Sequence, residues 1–250
     1  MKIVINPAYQ ALDSFITSIP ELFEQEGEMV YNERNQLKHY SVKGYDVIVK
    51  RYKIPHIINR IAYTYFRPSK AKRAYEYALK LLQFGVNTPS PIAYIEQYKG
   101  GLLTRSYFFS IYEKEYSVIR ELMAGTQKDD LLVKNLAYYI ADLHQKGVLH
   151  LDMSPGNILY KKDKNHIQFT LIDINRMQFR PVVSSEERYK SFKRLSENEV
   201  VLTEIAKLYA LAANLSVTES IEKINLYSSN FFSTKKRFKI KKTRNHENRL

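Results

Sequence analysis

The chain has 250 residues, 44% of them hydrophobic and 26% charged, which suits one large domain or two small lobes with a real core. It contains no cysteine, which excludes disulfides and thiolate metal sites, and no apolar run approaches the ~18 residues of a membrane span. The 39 Lys and Arg against 26 Asp and Glu leave a net charge of +13, which points to an anionic partner or to a plain solubility charge. The first residues lack the apolar core of a signal peptide, so a cytoplasmic location is expected.

In chain order, Met29-Val30-Tyr31 and Leu37 to Val42 flank the polar run Asn32 to Gln36, which predicts a hairpin. A turn at Lys43-Gly44 leads into Tyr45 to Tyr52, where Val47-Ile48-Val49 reads as a buried strand. The period then changes. Ile54, Ile57, Ile58, Ile61, Ala62, Tyr65 and Phe66 recur at helical spacing, and Arg67-Pro68-Ser69 breaks the pattern. Ser69 can cap a second helix from Lys70 to Phe84, stopped at Gly85. Two strands follow, Ile92 to Glu96 and Tyr107 to Tyr112, joined at Gly100-Gly101. Beyond Glu113 the pattern is mostly helical. One helix carries Leu132, Leu136, Ile140 and Leu143, and a last one runs roughly from Glu197 to Leu215. Between them lie short strands around Ile158-Leu159-Tyr160 and Ile167 to Ile172. The order predicts an α+β protein with a β-rich N-lobe over residues 1–113 and an α-rich C-lobe over 114–234. A basic tail over 235–250 completes it, with seven Lys or Arg in 235–244.

The strongest chemical signal is His150-Leu151-Asp152-Met153-Ser154-Pro155-Gly156-Asn157, placed after a helix and before a strand. Asp173 ends the following strand. An Asp, an Asn five positions on and a second Asp beyond a hairpin form the pattern of a two-lobed, protein-kinase-like fold. Phosphoryl transfer needs hard oxygen ligands for magnesium, which Asn157 and Asp173 can supply, and a carboxylate at the acceptor hydroxyl, which Asp152 can supply. ATP and Mg2+ are therefore the expected cofactors. Each piece alone has a blander reading: Pro-Gly-Asn is commonly a turn, and a strand-ending Asp is often a cap. Their joint order carries the inference. Lys50 ends the buried strand, as the phosphate-holding lysine does, and Glu76 on the next helix is its expected partner. The alternatives are an edge-strand lysine and a surface glutamate facing Lys80, with Glu96 and Glu113 also open as partners. His150 is expected to brace the loop, and His144 to pack.

Two features depart from protein kinases. No Gly-x-Gly-x-x-Gly joins the first strands, so Arg34 or Lys38 is left to meet the phosphates. Asp173-Ile174-Asn175 stands where Asp-Phe-Gly would be, and no Ala-Pro-Glu follows.

Val49-Lys50-Arg51-Tyr52, Arg67-Pro68-Ser69-Lys70-Ala71, Tyr75-Glu76-Tyr77-Ala78, Gly85-Val86-Asn87-Thr88-Pro89-Ser90-Pro91-Ile92-Ala93-Tyr94, His150 to Leu159 and Ile172-Asp173-Ile174-Asn175-Arg176-Met177 together resemble the bacterial lipopolysaccharide kinase family. The resemblance implies ATP and magnesium, a Kdo or heptose hydroxyl of lipid A-core as acceptor, and work at the cytoplasmic face of the inner membrane. The positive charge fits an anionic acceptor and membrane independently. The other readings are a soluble kinase of the aminoglycoside or choline type, an atypical protein kinase, or a basic pseudokinase binding nucleic acid. The first usually has an acidic pocket for a cationic acceptor. No aromatic RNA-binding signature is present, so no nucleic acid partner is expected. The stripe from Ile54 to Phe66, flanked by Arg51, Lys53, Arg67 and Lys70, either packs on the small lobe or lies in a membrane interface, and the basic tail offers a second contact.

Overall fold

The computed structural model describes residues 1–164 and 166–247, with side chains to residue 238. The chain divides into two compact units, Met1–Lys114 with Asp173–Asn175, and Glu115–Ile172 with Arg176–Leu250.

The first unit is built on β1 (Lys2–Ile5), α1 (Asp13–Leu22), β2 (Glu28–Asn32), β3 (Gln36–Val42) and β4 (Tyr45–Tyr52), followed by α2 (Ile57–Tyr65), α3 (Lys70–Gln83), β5 (Pro91–Lys99) and β6 (Leu102–Ile111). The strands form one antiparallel sheet in the order β1-β5-β6-β4-β3-β2. Strand alternation sends Val47 and Val49 to one face, where they pack with Ile16, Ile19 and Phe23 of the α1 region and with Tyr107 and Phe109. Tyr52 goes to the other face, against Ala71, Ala74 and Tyr75 of α3. Alanines at three positions of α3, including Ala78, let the helix lie close to the sheet. The parity that buries Tyr52 puts Lys50 on the same side, with its ammonium 5.4 Å from the Tyr52 ring centroid. Ser69, wholly buried, caps α3 by accepting the Lys72 N–H. Such a cap contributes about 1 kcal/mol.

α2 has its amphipathicity turned outward. Arg60 Nε donates to the Leu103 carbonyl, and Thr64 Oγ1 accepts the Leu103 N–H, so polar side chains tie the helix to β6. None of its residues is buried; Ile58 is 78% exposed, and Phe66 just beyond it 81%. The alternative in which the stripe packs into the lobe core is not what forms.

The second unit contains β7 (Ser117–Val118), α4 (Arg120–Ala124), α5 (Asp130–Gln145), β8 (Val148–His150), β9 (Ile158–Asp163), β10 (His166–Leu171), β11 (Met177–Phe179), α6 (Ser185–Ser191), α7 (Glu199–Ala213) and α8 (Val217–Glu247). β10, β9 and β7 form a small sheet, while β8 and β11 form a two-stranded ribbon. The ribbon is pinned at Gly147, whose carbonyl accepts the Arg180 N–H. Gly147 has φ +73°, and a Cβ there would lie 1.9 Å from the Arg180 oxygen, so only glycine fits. α5 packs on α7, and α7 on α8. α8 was not expected from the sequence. It continues through the segment expected as a separate tail from residue 235, of which the side chains beyond 238 lie outside the described residues.

His144 belongs to this helical core. Its Nδ1 is 2.8 Å from the Tyr209 hydroxyl and its Nε2 is 3.3 Å from Ser191 Oγ. Burial, reinforced by the Arg188 charge, pushes its pKa down from 6.5 to about 3. The folded chain therefore keeps His144 neutral where the unfolded chain protonates it, and stability falls as pH drops below the unfolded value. Unfolding in urea is expected to show a loss of roughly 2 kcal/mol between pH 7.5 and pH 5 from this group. In His144→Gln that slope should flatten. An identical slope in the variant would assign the pH dependence elsewhere.

Candidate active site

The loop after β8 is organised by main-chain bonds. His150, fully buried, accepts the Asp152 N–H at Nδ1 (3.1 Å), and its Nε2 lies 3.3 Å from the Ile172 carbonyl. The Nε2–H tautomer satisfies both contacts. Met153 is buried below the loop, and Pro155–Asn157 make a 3-10 turn that delivers the chain into β9. Asn157 Nδ2 donates to the Asp152 carbonyl at 2.8 Å, which leaves Oδ1 as its oxygen donor. The Asn157 carbonyl accepts the N–H of Ile172, the residue before Asp173. The Asp152 carboxylate is held by two arginines, Arg194 at 2.6 Å and Arg176 at 3.4 Å, and is only 16% exposed. No motif marks Arg194, which comes from a 3-10 turn, Phe192–Arg194.

In the first unit, Lys50 Nζ donates to Asp173 Oδ1 at 2.8 Å, and Asn175 Nδ2 donates to the same oxygen at 2.6 Å. Asp173 has φ +52°, a left-handed backbone that Asp tolerates better than most residues. The expected Lys50–Glu76 pair does not form: Glu76 is exposed on α3 and its ion-pair partner is Lys72, one turn away at 3.6 Å. Lys38 is also removed as a phosphate ligand. It is buried, and its Nζ donates to the Glu26 carbonyl at 2.7 Å, holding the entry to β2. Arg34 stays exposed on the β2–β3 turn. It lines a cavity of about 330 Å³ with Arg51, Lys53 and Arg105. Lys70, at the start of α3, is a cation that sequence reasoning did not assign. Burial pushes its pKa down, Arg34, Arg73 and Lys50 add like-charge repulsion, and Asp173 opposes them. Several cations thus gather near one carboxylate, a neighbourhood that polyanionic phosphates would neutralise.

Among the described residues no three His, Cys, Asp or Glu side chains cluster as a ready-made metal cage. The Asp173 carboxylate of the first unit and Asn157 Oδ1 of the second are each the kind of hard oxygen donor that magnesium takes, one or two per ion, with phosphates and water completing its shell.

A β-sheet unit carrying a Lys–Asp pair and a helical unit carrying an Asp…Asn loop define a phosphotransferase with a protein-kinase-like fold. The profile of the Lipopolysaccharide kinase (Kdo/WaaP) family matches residues 25–211, well over half of the chain, and the chain belongs to that family. It is a sugar kinase of lipopolysaccharide core biosynthesis. No curated protein matches the chain by sequence. Among solved structures, WaaP in complex with acyl carrier protein is similar in fold, with a TM-score of 0.63 and 15% identity over 95% of this chain and 99% of that one. A Rio2 kinase–ADP/Mg2+–phosphoaspartate complex from Chaetomium thermophilum also aligns, at TM-score 0.42 and 15% identity, over 90% of this chain and 77% of that chain.

Proposed function

We propose that the chain transfers the γ-phosphate of ATP to a hydroxyl of Kdo or heptose in the inner core of lipid A-core. The observation that carries this reading is the Asp152 loop, whose carboxylate is fixed by Arg194 and Arg176 while the His150 ring fixes its backbone. The acceptor oxygen bonds to the γ-phosphorus as the bond to the β-phosphate oxygen breaks, ADP leaves, and Asp152 takes the hydroxyl proton. Lys50 holds nucleotide phosphates, and Arg34 and Lys70 stand in for the missing glycine loop. Asn157 and Asp173 are the residues that would hold magnesium, which when bound would neutralise charge on the phosphates. Glu76, exposed and paired with Lys72, carries no support from the geometry as a nucleotide-binding residue. A soluble kinase of the aminoglycoside or choline type would accept a cation, which the arginines around Asp152 disfavour. Mass spectrometry of lipid A-core from cells with and without the gene tests the reading. Loss of one phosphoryl increment is expected, and an unchanged core would refute it.

The same proposal places the enzyme peripherally on the cytoplasmic face of the inner membrane, through α2. No described helix is long and apolar enough to cross a membrane. The outward stripe of α2 offers Ile57, Ile58, Ile61 and Tyr65, and exposed basic residues at Lys53 and Arg67 flank it. Apolar burial with cations near an anionic surface, at about 1 kcal/mol each, supports interfacial docking. Wild-type protein is expected to sediment with phosphatidylglycerol vesicles, not with phosphatidylcholine vesicles, and to be released by high salt. Ile57→Asp with Ile61→Asp alters exposed positions, so the fold should persist and vesicle binding should be lost. Undiminished sedimentation would remove α2 from the membrane contact. Loss of binding to an acyl carrier protein, with vesicle binding kept, would instead assign α2 to a protein partner.

A further inference from the structure

A cavity of about 480 Å³ opens in the second unit beside the Asp152 loop. Its wall includes Ser154 and Pro155 of that loop, Arg120 at the start of α4, Arg194, and Phe231, Phe232 and Lys235 of α8. The charges are unequal. Arg194 is engaged by Asp152 at 2.6 Å, and Glu197, also in the wall, pairs with Lys236. Arg120 and Lys235 form no ion pair among the described residues, so the wall presents two uncompensated cations to the cavity. Phe231 and Phe232 meet edge to face, with centroids 5.2 Å apart. The Arg194 guanidinium lies 5.2 Å from the Phe231 centroid, and the Lys235 ammonium 5.8 Å from that of Phe232. Two rings set among cations offer flat apolar faces for a pyranose and fixed donors for its acidic group.

Gly156 adds a geometric reason for one of these cations. Its φ is not positive, so no turn requires glycine. A Cβ there would instead lie 2.8 Å from Arg120 Nη2 and 3.4 Å from its Nε. The glycine of the Asp152 loop makes room for the Arg120 guanidinium against the loop backbone, and through it couples the loop to the cavity wall.

We propose that this cavity is the acceptor site, taking an anionic saccharide whose carboxylate or phosphate is bound by Arg120 and Lys235, with its ring on Phe231 and Phe232. Arg194, touching both Asp152 and the cavity, is the positioning residue that orients the carboxylate toward the bound sugar. This rests on the kinase reading given above, and it adds that acceptor choice is made by α4 and α8, with the negative charge of the sugar as the selected feature. It also gives α8 a role beyond packing.

The test is calorimetric binding of the water-soluble saccharide obtained by deacylating lipid A-core, to the full chain in the presence of ADP and magnesium. Kdo and a hexose phosphate serve as competitors to separate a carboxylate from a phosphate, and a neutral hexose serves as control. Arg120→Ala and Lys235→Ala should each weaken saccharide binding by about tenfold, with ADP affinity unchanged. Phe232→Ala should weaken it with little change in its salt dependence. Gly156→Ala displaces only a flexible side chain, so it should leave the thermal midpoint near wild type and still weaken the saccharide. In turnover, Arg120→Ala and Lys235→Ala should raise the acceptor KM and leave the ATP KM alone. Equal saccharide affinity in wild type, Arg120→Ala and Lys235→Ala would overturn the site, as would competition by the neutral hexose equal to that by the acidic sugars. If the wild type bound the saccharide through these residues yet transferred no phosphate, the cavity would stand and the kinase reading would fall.

Discussion

Asp152→Asn is expected to lower kcat by about 100-fold or more while ATP affinity changes less than about twofold. The side chains are isosteric, and the brace on this residue is made by its own main chain to His150, so the loop keeps its shape. Arg194 and Arg176 bind different carboxylate oxygens, so the amide keeps an acceptor for only one of them, Arg194 at the shorter contact. What is lost is the charge that pairs with both guanidinium groups and that is proposed to accept the hydroxyl proton. Single-turnover rates on deacylated lipid A-core, measured beside titration with a fluorescent ATP analogue, separate the two effects. Wild-type kcat in the variant would remove Asp152 from the proton-accepting role.

Lys50→Ala should reduce kcat/KM for ATP by about 100-fold. Lys50 reaches the site from the α3 face of β4, and its ion-pair partner among the described residues is Asp173. Removing it takes away both the proposed phosphate ligand and the cation that holds the Asp173 carboxylate. Lys50→Arg should not restore full activity, because a larger planar guanidinium does not stand as a compact point charge where the Lys50 ammonium meets Asp173. Unchanged kcat/KM in Lys50→Ala would shift the phosphate role to Lys70 or Arg34, and Lys70→Ala would then be the next variant to measure.

What the sequence showed and what it hid follow from how each element is stabilised. β3, β4 and α3 were legible because their apolar residues repeat at the period of the element they form, and Ser69 and Gly85 mark the ends of α3. The Asp152 loop was legible as a loop, because Pro155 and Gly156 mark the turn that enters β9, while its chemistry rests on the order of Asp152, Asn157 and Asp173. α8 was not. Its buried positions include Ser220, Ile224 and Ser228, and Ser228 Oγ bonds to the Ser196 carbonyl, so small polar residues do the close packing that an apolar stripe would advertise. For α2 the period was plain, but periodicity says which residues share a face and not whether that face meets protein or solvent. Arg60 and Thr64 decide it, through contacts 39 or more residues away in the chain. The Lys50–Glu76 pairing failed for a related reason. Helical spacing offered Glu76 a partner on its own helix, and Lys72 took it.

The positive φ at Asp173 bears on how such an enzyme can be lost. Left-handed backbone disfavours most side chains by roughly 1–2 kcal/mol but is mild for Asp, Asn and Gly. A drift from Asp173 to Asn therefore meets no backbone barrier, and an amide oxygen can still accept from Lys50 and Asn175. The folding cost of that drift lies elsewhere, in the charge that Lys50 and Lys70 lose as their carboxylate partner. A descendant copy of this gene freed from its catalytic duty would keep its backbone at position 173 and show its loss in the cations left facing one another.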